Sequence, residues 1–431
     1  MSDAARLKKA SYHLYTFTIS KLIATFGSSV YAFGISLYVL ALTGSAASFA
    51  INLICSIVPR ALLAPFAGYV ADNYSKKMVV IVSQSASILF VGSLLVYSWA
   101  AGLSLVAIYT TTALLSISSM FTGVTFSSAI ANLIDSARIQ RAMSFNQSAL
   151  AIATIGGPVV GGILFGFVSM NVFLLIQVIA YTIAVSLEST MDFKLYTKRG
   201  AEAAGEVGES VISSMKQGFS YLKSNRVIMV IVSVAIGVNF FFSGLMIGLP
   251  FVTVQQLGVQ AAHFGMIEAM IALGMLISSI YFSIRKEVRF PLLFAKRGIL
   301  GMSVLLAAIG LPLIVELSYV AVVGYYLVLM LIFGITNVFV NTPIGVMMQK
   351  DVEEEYRGRV FGMLESMAMA MMPLGYLIYG LLFDTFPAEY IVLASSVCLI
   401  ALTSYLMRPS ILKQAHPELE ARAIVIPELQ K

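Results

Sequence analysis

Residues 68–78 read GYVADNYSKKM, and this stretch decides how the chain folds. A long apolar segment ends at Ala71 and another begins soon after it, so the link between them is too short to be a domain. The link carries one acid, Asp72, and two bases, Lys76 and Lys77. A short charged link between two apolar segments predicts a tight turn at a membrane face, joining two antiparallel helices.

The composition places most of the chain in lipid. Of its 431 residues, 59% are hydrophobic and 11% are charged, whereas a soluble domain has roughly 25% charged residues. Only helices and closed barrels can span a bilayer, and these apolar runs are roughly 20 residues long without alternation. We therefore predict an all-α membrane protein with twelve transmembrane helices.

Twelve apolar spans can be assigned, six on each side of a charged linker. The predicted spans are residues 14–42, 47–71, 78–99, 104–132, 144–167, 171–190, 227–255, 262–284, 295–314, 318–346, 359–383 and 389–407. This arrangement indicates a duplication into two pseudo-symmetric six-helix bundles. The predicted parts are an N-terminal bundle (1–190), a cytoplasmic linker with an amphipathic helix (191–226), a C-terminal bundle (227–407) and a cytoplasmic tail (408–431).

The basic residues are distributed asymmetrically along the chain. Of the 27 Lys and Arg residues, only Lys21 and Arg60 lie well inside predicted spans. The others lie in links and tails or, like Lys296, Arg297 and Arg359, at the very start of a span, and all of these segments are assigned to one membrane face. The positive-inside rule puts that face, and both termini, in the cytoplasm. The net charge of +6 therefore needs no nucleic acid to explain it.

Residue patterns typical of enzymes are missing from the sequence. The three His residues are far apart and form no cluster with Cys, and there is no phosphate-binding loop or nucleophile elbow. We expect no catalytic residue, no metal site and no cofactor. Cys55 and Cys398 lie in apolar spans and indicate buried thiols rather than a disulfide.

The opening stretch resembles the signature loop between the second and third spans of the major facilitator superfamily, which reads Gly-x-Leu-Ala-Asp-Arg-x-Gly-Arg-Lys. The matching positions are Gly68, Ala71, Asp72 and Lys77. We expect Gly68 to let a neighbouring helix approach closely. We expect Asp72 to lie at a helix N-terminus or to pair with a base.

A second motif, before the eleventh span, resembles a signature of one branch of this superfamily. Residues 357–361 read RGRVF and are similar to a signature of the macrolide-efflux and enterobactin-exporter branch, whose members are of the drug:proton antiporter type. The resemblance implies a small cytoplasmic gate between the two bundles. The predicted members of this gate are Gly68, Asp72, Lys76, Lys77, Arg357 and Arg359.

The fifth span contains small residues around a proline, IGGPVVGGILFG at residues 155–166. Glycines four apart permit tight helix crossing, and a proline permits a bend. The run resembles the Gly-Pro motif in the fifth span of major facilitator antiporters, where the two halves pivot. The predicted hinge and packing residues are Gly156, Gly157, Pro158, Gly161 and Gly162. The alternative is a close-packed helix that has no bearing on transport direction.

Two acidic residues inside spans, Glu268 and Glu365, are candidates for proton coupling. A charge inside a membrane costs roughly 2.5–3.5 kcal/mol and therefore faces a cavity or a partner. A carboxyl group in such a cavity can bind a proton on one side of the membrane and release it on the other. The alternatives are a wetted, inert Glu268 and a Glu365 that pairs with Arg357 or Arg359.

Several polar, aromatic and Met residues are candidates for a substrate cavity. They are Lys21, Arg60, Asn239, Phe240, Asn341 and Met369. Aromatic and Met side chains suit a pocket for varied apolar molecules, with lipid-facing packing as the alternative. Arg60 would hold an anionic substrate or a carboxylate, and Lys21 could instead extend its ammonium group to the cytoplasm.

The sequence thus predicts a proton-coupled secondary exporter in the cell membrane. The protein would be a monomer in the lipid bilayer that moves amphipathic small molecules, such as macrolide-like drugs or a siderophore, by alternating access. An uptake symporter or a lipid flippase on the same fold is the first alternative. A membrane scaffold or a membrane-bound enzyme is the second.

Overall fold

The computed structural model describes residues 3–196, 220–223 and 225–418, and in this part of the chain all regular secondary structure is helical. Twelve of its helices are long and apolar enough to cross a membrane. The prediction of an all-α membrane protein with twelve transmembrane helices is therefore confirmed. The amphipathic helix predicted in the linker lies outside the described residues, apart from residues 220–223, which are helical.

The first six membrane helices follow one another through short links. They are α1 (Asp3–Thr43), α2 (Ala46–Asn73), α3 (Lys76–Ala101), α4 (Leu105–Leu133), α5 (Ile139–Phe167) and α6 (Met170–Ser189). A single 3-10 turn, Ser136–Arg138, stands between α4 and α5. Both α1 and α5 begin before their predicted spans, because each helix continues past its apolar segment into polar sequence.

The second group of six repeats this organisation and ends in a short helix. Its six membrane helices are α7 (Arg226–Pro250), α8 (Ala261–Ile284), α9 (Pro291–Ala308), α10 (Tyr319–Asp351), α11 (Glu354–Thr385) and α12 (Ala388–Leu406), and the short α13 (Pro409–Ala415) follows them. A π-helical turn, Phe251–Gln256, extends α7. A further helical turn, Leu311–Ile314, follows α9.

Serine residues cap the starts of several membrane helices. In each case the hydroxyl group accepts the backbone N–H of the residue three positions later, at Ser45, Ser104, Ser169 and Ser318. Such a cap satisfies an N–H group that the helix itself leaves unpaired. Gly44 and Gly102 stand just before two of these caps with φ values of 64° and 77°. These links therefore end one helix and start the next within a few residues.

The chain divides into two compact units. The first unit consists of Met1–Ala204 together with Gly258–Ala269, the segment that includes the first turns of α8. The second unit consists of Gly205–Leu257 and Met270–Lys431. The predicted boundaries at residues 190, 226 and 407 stay predictions.

The two units pair their helices in the same way. In the first unit, α1 packs against α5 and α6, α4 packs against α2 and α3, and α3 packs against α6. In the second unit, α7 packs against α11 and α12, and α9 packs against α10 and α12. The crossing of α8 with α10 completes the match to α2 with α4, since Gly274 lies against Leu331 O and Ile335 N. The shared pattern supports the duplication that the sequence indicated.

The α1–α5 crossing is repeated at α7–α11 down to single residues. Gly157 of α5 lies against Ser29 of α1, where a Cβ atom at Gly157 would come within 2.6 Å of Ser29 Cβ. Gly375 of α11 lies against Ser243 of α7, where the corresponding distance would be 2.5 Å. Both distances are far shorter than ordinary carbon contacts of about 3.5–4.0 Å. Each crossing therefore requires a glycine for the two backbones to approach this closely.

A buried polar contact ties three helices of the first unit together. Asn52 of α2 donates from Nδ2 to Ser36 Oγ of α1 at 2.9 Å, and its Oδ1 accepts from Thr112 Oγ1 of α4 at 3.0 Å. Interhelical bonds of this kind fix neighbouring membrane helices where apolar contacts alone are not directional.

Candidate functional site

The turn between α2 and α3 joins the two helices with almost no loop. The α2 helix ends at Asn73 and α3 begins at Lys76. The Nζ of Lys76 donates to the Ser128 carbonyl of α4 at 2.8 Å, which ties the start of α3 to the neighbouring helix. Lys77 is exposed. The side chain of Asp72 lies outside what the structure describes, so its predicted pairing stays a prediction.

Gly68 does not bring a helix close in this structure. A Cβ atom there would meet no atom within 4 Å among the described residues. The expected close approach is therefore not observed at this position. Glycines with this role lie elsewhere, in the helix crossings described above.

The other predicted gate residues lie at the start of α11 and contact their own unit. Arg357 donates from Nε to the Val352 carbonyl at 3.1 Å. The guanidinium group of Arg359 lies 5.9 Å from the centre of the Tyr356 ring. Tyr356 in turn stacks on Tyr221, with ring centres 4.7 Å apart. The α10–α11 link is thus fixed to a described turn of the linker.

The predicted hinge residues of α5 pack on α1. A Cβ atom at Gly156 would come within 2.8 Å of the Phe26 ring, and one at Gly161 would come within 3.1 Å of Val30 O. Gly157 contacts Ser29. Three of the five predicted residues therefore allow one tight helix crossing.

The remaining two hinge residues contact the first turns of α8, which belong to the same unit. The Cβ position of Gly162 points at Ala261 O, and that of Gly265 points at Pro158 O. Farther along the same contact, Phe33 and Phe264 stack with ring centres 5.6 Å apart. Small residues thus bring α5 and the start of α8 into backbone contact at Gly162 and Pro158.

The two predicted proton-coupling residues have different surroundings. Glu268 lies in the first turns of α8, partly buried, and its Oε2 is shielded without a hydrogen-bond partner among the described residues. Glu365 lies on α11 with an exposed side chain. A shielded carboxyl oxygen without a partner is costly when it is charged. Glu268 therefore fits a protonatable group better than Glu365 does.

A third acidic residue, which the sequence analysis did not single out, is more deeply buried than either. Glu188 in the last turn of α6 is 0% exposed, and neither of its carboxyl oxygens has a hydrogen-bond partner among the described residues. The partly buried Lys21 of α1 is within electrostatic range of Glu188 and also of Arg60. Arg60 itself is exposed. The one signal in the sequence was that Glu188 is the only acid in the sixth predicted span.

The remaining candidates for a substrate cavity lie in the second unit. Asn239 is partly buried and donates to the Ala235 carbonyl of its own helix at 2.9 Å. Phe240 packs against Tyr379, with ring centres 5.6 Å apart. Asn341 and Met369 are exposed on α10 and α11. The structure thus makes Phe240 part of the α7–α11 packing, whereas Asn341 and Met369 are available for contacts.

The segment after α6 is docked on the first unit. Met191, Phe193 and Leu195 are buried there. Lys9 donates to the Asp192 carboxylate at 2.7 Å, and this hydrogen bond lowers the pKa of Asp192. The first residues of the linker are thus held in place by contacts with α1.

The tail after α13 is docked on the second unit in a comparable way. The Leu292 N–H at the start of α9 donates to Nε2 of His416 at 3.2 Å. Burial lowers the pKa of His416 and so favours the neutral ring that can accept this bond. Arg289 pairs with Glu418 at 2.7 Å beside it.

The chain matches one protein family over most of its length. The profile described as Major Facilitator Superfamily matches residues 17–376. The chain belongs to this superfamily. It is therefore a membrane transporter of small molecules and not an enzyme.

Curated relatives of this chain are bacterial transporters. The chain is 21% identical over 391 residues to macrolide efflux protein A of Streptococcus pyogenes, covering 90% of this chain and 93% of the relative. It is 26% identical over 377 residues to the staphyloferrin A transporter of Staphylococcus aureus, covering 86% of this chain and 89% of the relative.

Solved structures share the fold at lower identity. The nucleoside transporter NupG has a TM-score of 0.67 at 15% identity, covering 93% of this chain and 99% of that one. A bacterial homologue of the iron transporter ferroportin, in an inward-facing state, has a TM-score of 0.64 at 17% identity, covering 92% and 98%. These likenesses support the transporter fold and carry no information on substrate.

Proposed function

We propose that this protein is a proton-coupled exporter of amphipathic small molecules, of the macrolide or siderophore kind, that works by alternating access. The substrate class comes from the relatives, since a macrolide efflux protein and a staphyloferrin A transporter both align over nearly the whole chain. The direction of transport comes from the macrolide efflux relative, whereas the basic links on one face indicate which face is cytoplasmic. The protein would act as a monomer in the cytoplasmic membrane, with both termini inside the cell.

The observation that carries the proposal is the shielded carboxyl group of Glu268 in a membrane helix. Its Oε2 has no hydrogen-bond partner among the described residues, so a proton is the simplest ligand that removes the cost of its charge. A group that accepts a proton from outside and delivers it inside can drive an outward movement of substrate. Glu365 is the second candidate, on an exposed position of α11.

The proposed hinge and packing residues are Gly156, Gly157, Pro158, Gly161 and Gly162 of α5. In the contact between α5 and the first turns of α8, Gly162 and Gly265 leave a smooth surface without interlocking side chains, which would let the two helices shift against each other. The proposed gate at the cytoplasmic side consists of Gly68, Asp72, Lys76, Lys77, Arg357 and Arg359. The proposed cavity residues are Lys21, Arg60, Asn239, Phe240, Asn341 and Met369.

The test is transport by the purified full-length protein in vesicles with an imposed pH gradient. A radiolabelled macrolide and iron-loaded staphyloferrin A serve as probes. The wild type should accumulate at least one of them against its concentration gradient, moving it opposite to the proton. Glu268→Gln should reduce this accumulation about tenfold or more, whereas passive exchange of the probe continues.

Glu316→Gln is a matched control, because it removes the same charge from an exposed link between α9 and α10. This variant should transport like the wild type. Movement of probe in the same direction as the proton would instead indicate a symporter. Transport at the same rate with and without the pH gradient would refute proton coupling. Normal proton-coupled transport by both Glu268→Gln and Glu365→Gln would refute the assignment of these residues to proton binding.

A further inference from the structure

The first unit contains a buried acidic residue, Glu188, that the proposed transport site does not use, close to Lys21 of the proposed cavity. Glu188 at the end of α6 is fully buried, and both of its carboxyl oxygens lack hydrogen-bond partners among the described residues. A buried carboxylate normally accepts several hydrogen bonds, because its charge is otherwise poorly solvated. This carboxyl group is therefore either neutral or stabilised only by a nearby positive charge.

The nearby positive charge comes from Lys21 of α1. Its ammonium group interacts electrostatically with Glu188, although no salt bridge within 4.0 Å joins the two side chains. Lys21 is also repelled by Arg60 of α2. Lys21 is thus attracted by Glu188 and repelled by Arg60.

Among the described residues, no other charge acts on Glu188 to a comparable degree. The helices packed against α6 are α1, α3 and α5, and their other charged or His side chains lie towards the helix ends. These side chains are Arg6, Lys8, Lys9 and His13 of α1, Lys76 and Lys77 of α3, and Arg141 of α5, with Asp192 following α6. Of all these groups, the charge that perturbs Glu188 is Lys21.

The positive charge of Lys21 favours a proton over a metal cation as the ligand of Glu188. A metal cation such as Na⁺ would need several oxygen ligands, and Lys21 would repel it. A proton needs only one carboxyl oxygen and can approach beside an ammonium group. Protonation would cancel the attraction between α6 and α1 and leave Lys21 under the repulsion of Arg60 alone.

We infer that Glu188, with Lys21 as its counter-ion, is a second proton-binding site, contained within the first unit. Binding of the proton changes the electrostatic attraction between α1 and α6, whereas its loss restores the Lys21–Glu188 pair. The role of this site in transport rests on the proposed proton coupling, but proton binding itself does not. The competing explanation is a permanent ion pair that only holds the two helices together.

Infrared spectroscopy of the full-length protein in lipid vesicles distinguishes these explanations. A protonated carboxyl group has a carbonyl-stretching band that an ionised carboxylate lacks, so its loss can be followed while the pH is raised. We expect a band in the wild type that disappears in Glu188→Gln and persists in Glu268→Gln. Identical spectra of the wild type and Glu188→Gln at every pH would overturn the inference.

Two further variants keep the test decisive if Glu188→Gln does not fold. Glu188→Asp keeps a carboxyl group and should move the band without abolishing it. Lys21→Met removes the counter-ion and should shift the midpoint of the band towards alkaline pH by about one unit, a tenfold change in proton affinity. A band that responds to neither variant would overturn the assignment to Glu188.

The same vesicles separate this inference from the proposed function. The infrared measurement needs no substrate, so it reports on Glu188 even if neither probe is transported. The response of the wild type to a pH gradient tests proton-coupled export independently. In a coupled wild type, Glu188→Gln should lower gradient-driven accumulation about tenfold and leave passive exchange intact, and unchanged accumulation would overturn the coupling role.

Discussion

Replacing Gly157 by Ala should loosen the α1–α5 crossing of the first unit. The new Cβ atom would lie 2.6 Å from Ser29 Cβ and 3.3 Å from the Ser29 carbonyl carbon. An ordinary contact between carbon atoms is about 3.5 Å, so the shorter distance is too short by about 0.9 Å. Ser29 Cβ is fixed to its backbone, and α1 must therefore move away from α5 or strain locally. Overpacking of this kind lowers the free energy of unfolding by about 1–3 kcal/mol.

The assay is thermal unfolding of the purified protein in detergent, followed by the fraction that remains monodisperse. Gly166→Ala is the matched control, since Gly166 lies on the same helix and a Cβ atom there meets nothing within 4 Å among the described residues. That control should be neutral or more stable, because Ala is favoured over Gly in helices by up to about 1 kcal/mol. If Gly157→Ala is as stable as Gly166→Ala, the close crossing of α1 and α5 is refuted.

Three other predictions concern polar contacts. Burial lowers the pKa of His416, and the folded protein therefore holds the neutral ring that accepts the Leu292 N–H. Thermal stability should fall as the pH drops below about 6.5. This pH-dependent fall in stability should be absent in His416→Gln. The hydrogen bond from Lys9 lowers the pKa of Asp192, so the stability from this pair should be present above about pH 4 and lost in acid. Asp192→Asn should lower the free energy of unfolding by at most about 1 kcal/mol at neutral pH, because both side chains are partly exposed. Asn52→Leu leaves two buried hydroxyl groups without their partner and should lower the thermal midpoint by the equivalent of about 1–3 kcal/mol.

The membrane helices were predictable because lipid imposes a simple rule on the chain. A segment that crosses the bilayer must be long, apolar and helical, and the rule acts on each segment without reference to its neighbours. The helix starts at Ser45 and Ser104 follow from equally local cap chemistry. Helix ends that continue into polar sequence, such as the start of α5 at Ile139, follow no such rule and were placed too late.

The site was less predictable because it depends on which helix faces meet. Spacing alone showed that Gly157 and Gly161 share a side of α5, but it could not show that this side meets α1. Glu188 stands near the end of an apolar span, where a charge usually reaches water, yet it is fully buried in a helix that packs mainly against α1 and α3. At Gly68 a motif position was given a packing role, and no described residue lies within 4 Å of a Cβ atom there.

Each unit contains a crossing of a glycine on a serine, at Gly157 with Ser29 and at Gly375 with Ser243. The chain therefore contains an internal standard. Replacing either glycine by Ala adds one methyl group at the equivalent helix crossing of a different unit, and both variants can be measured with the same lipid and the same substrate. The ratio of the transport rates of the two variants then measures how differently transport depends on close helix packing in the two units.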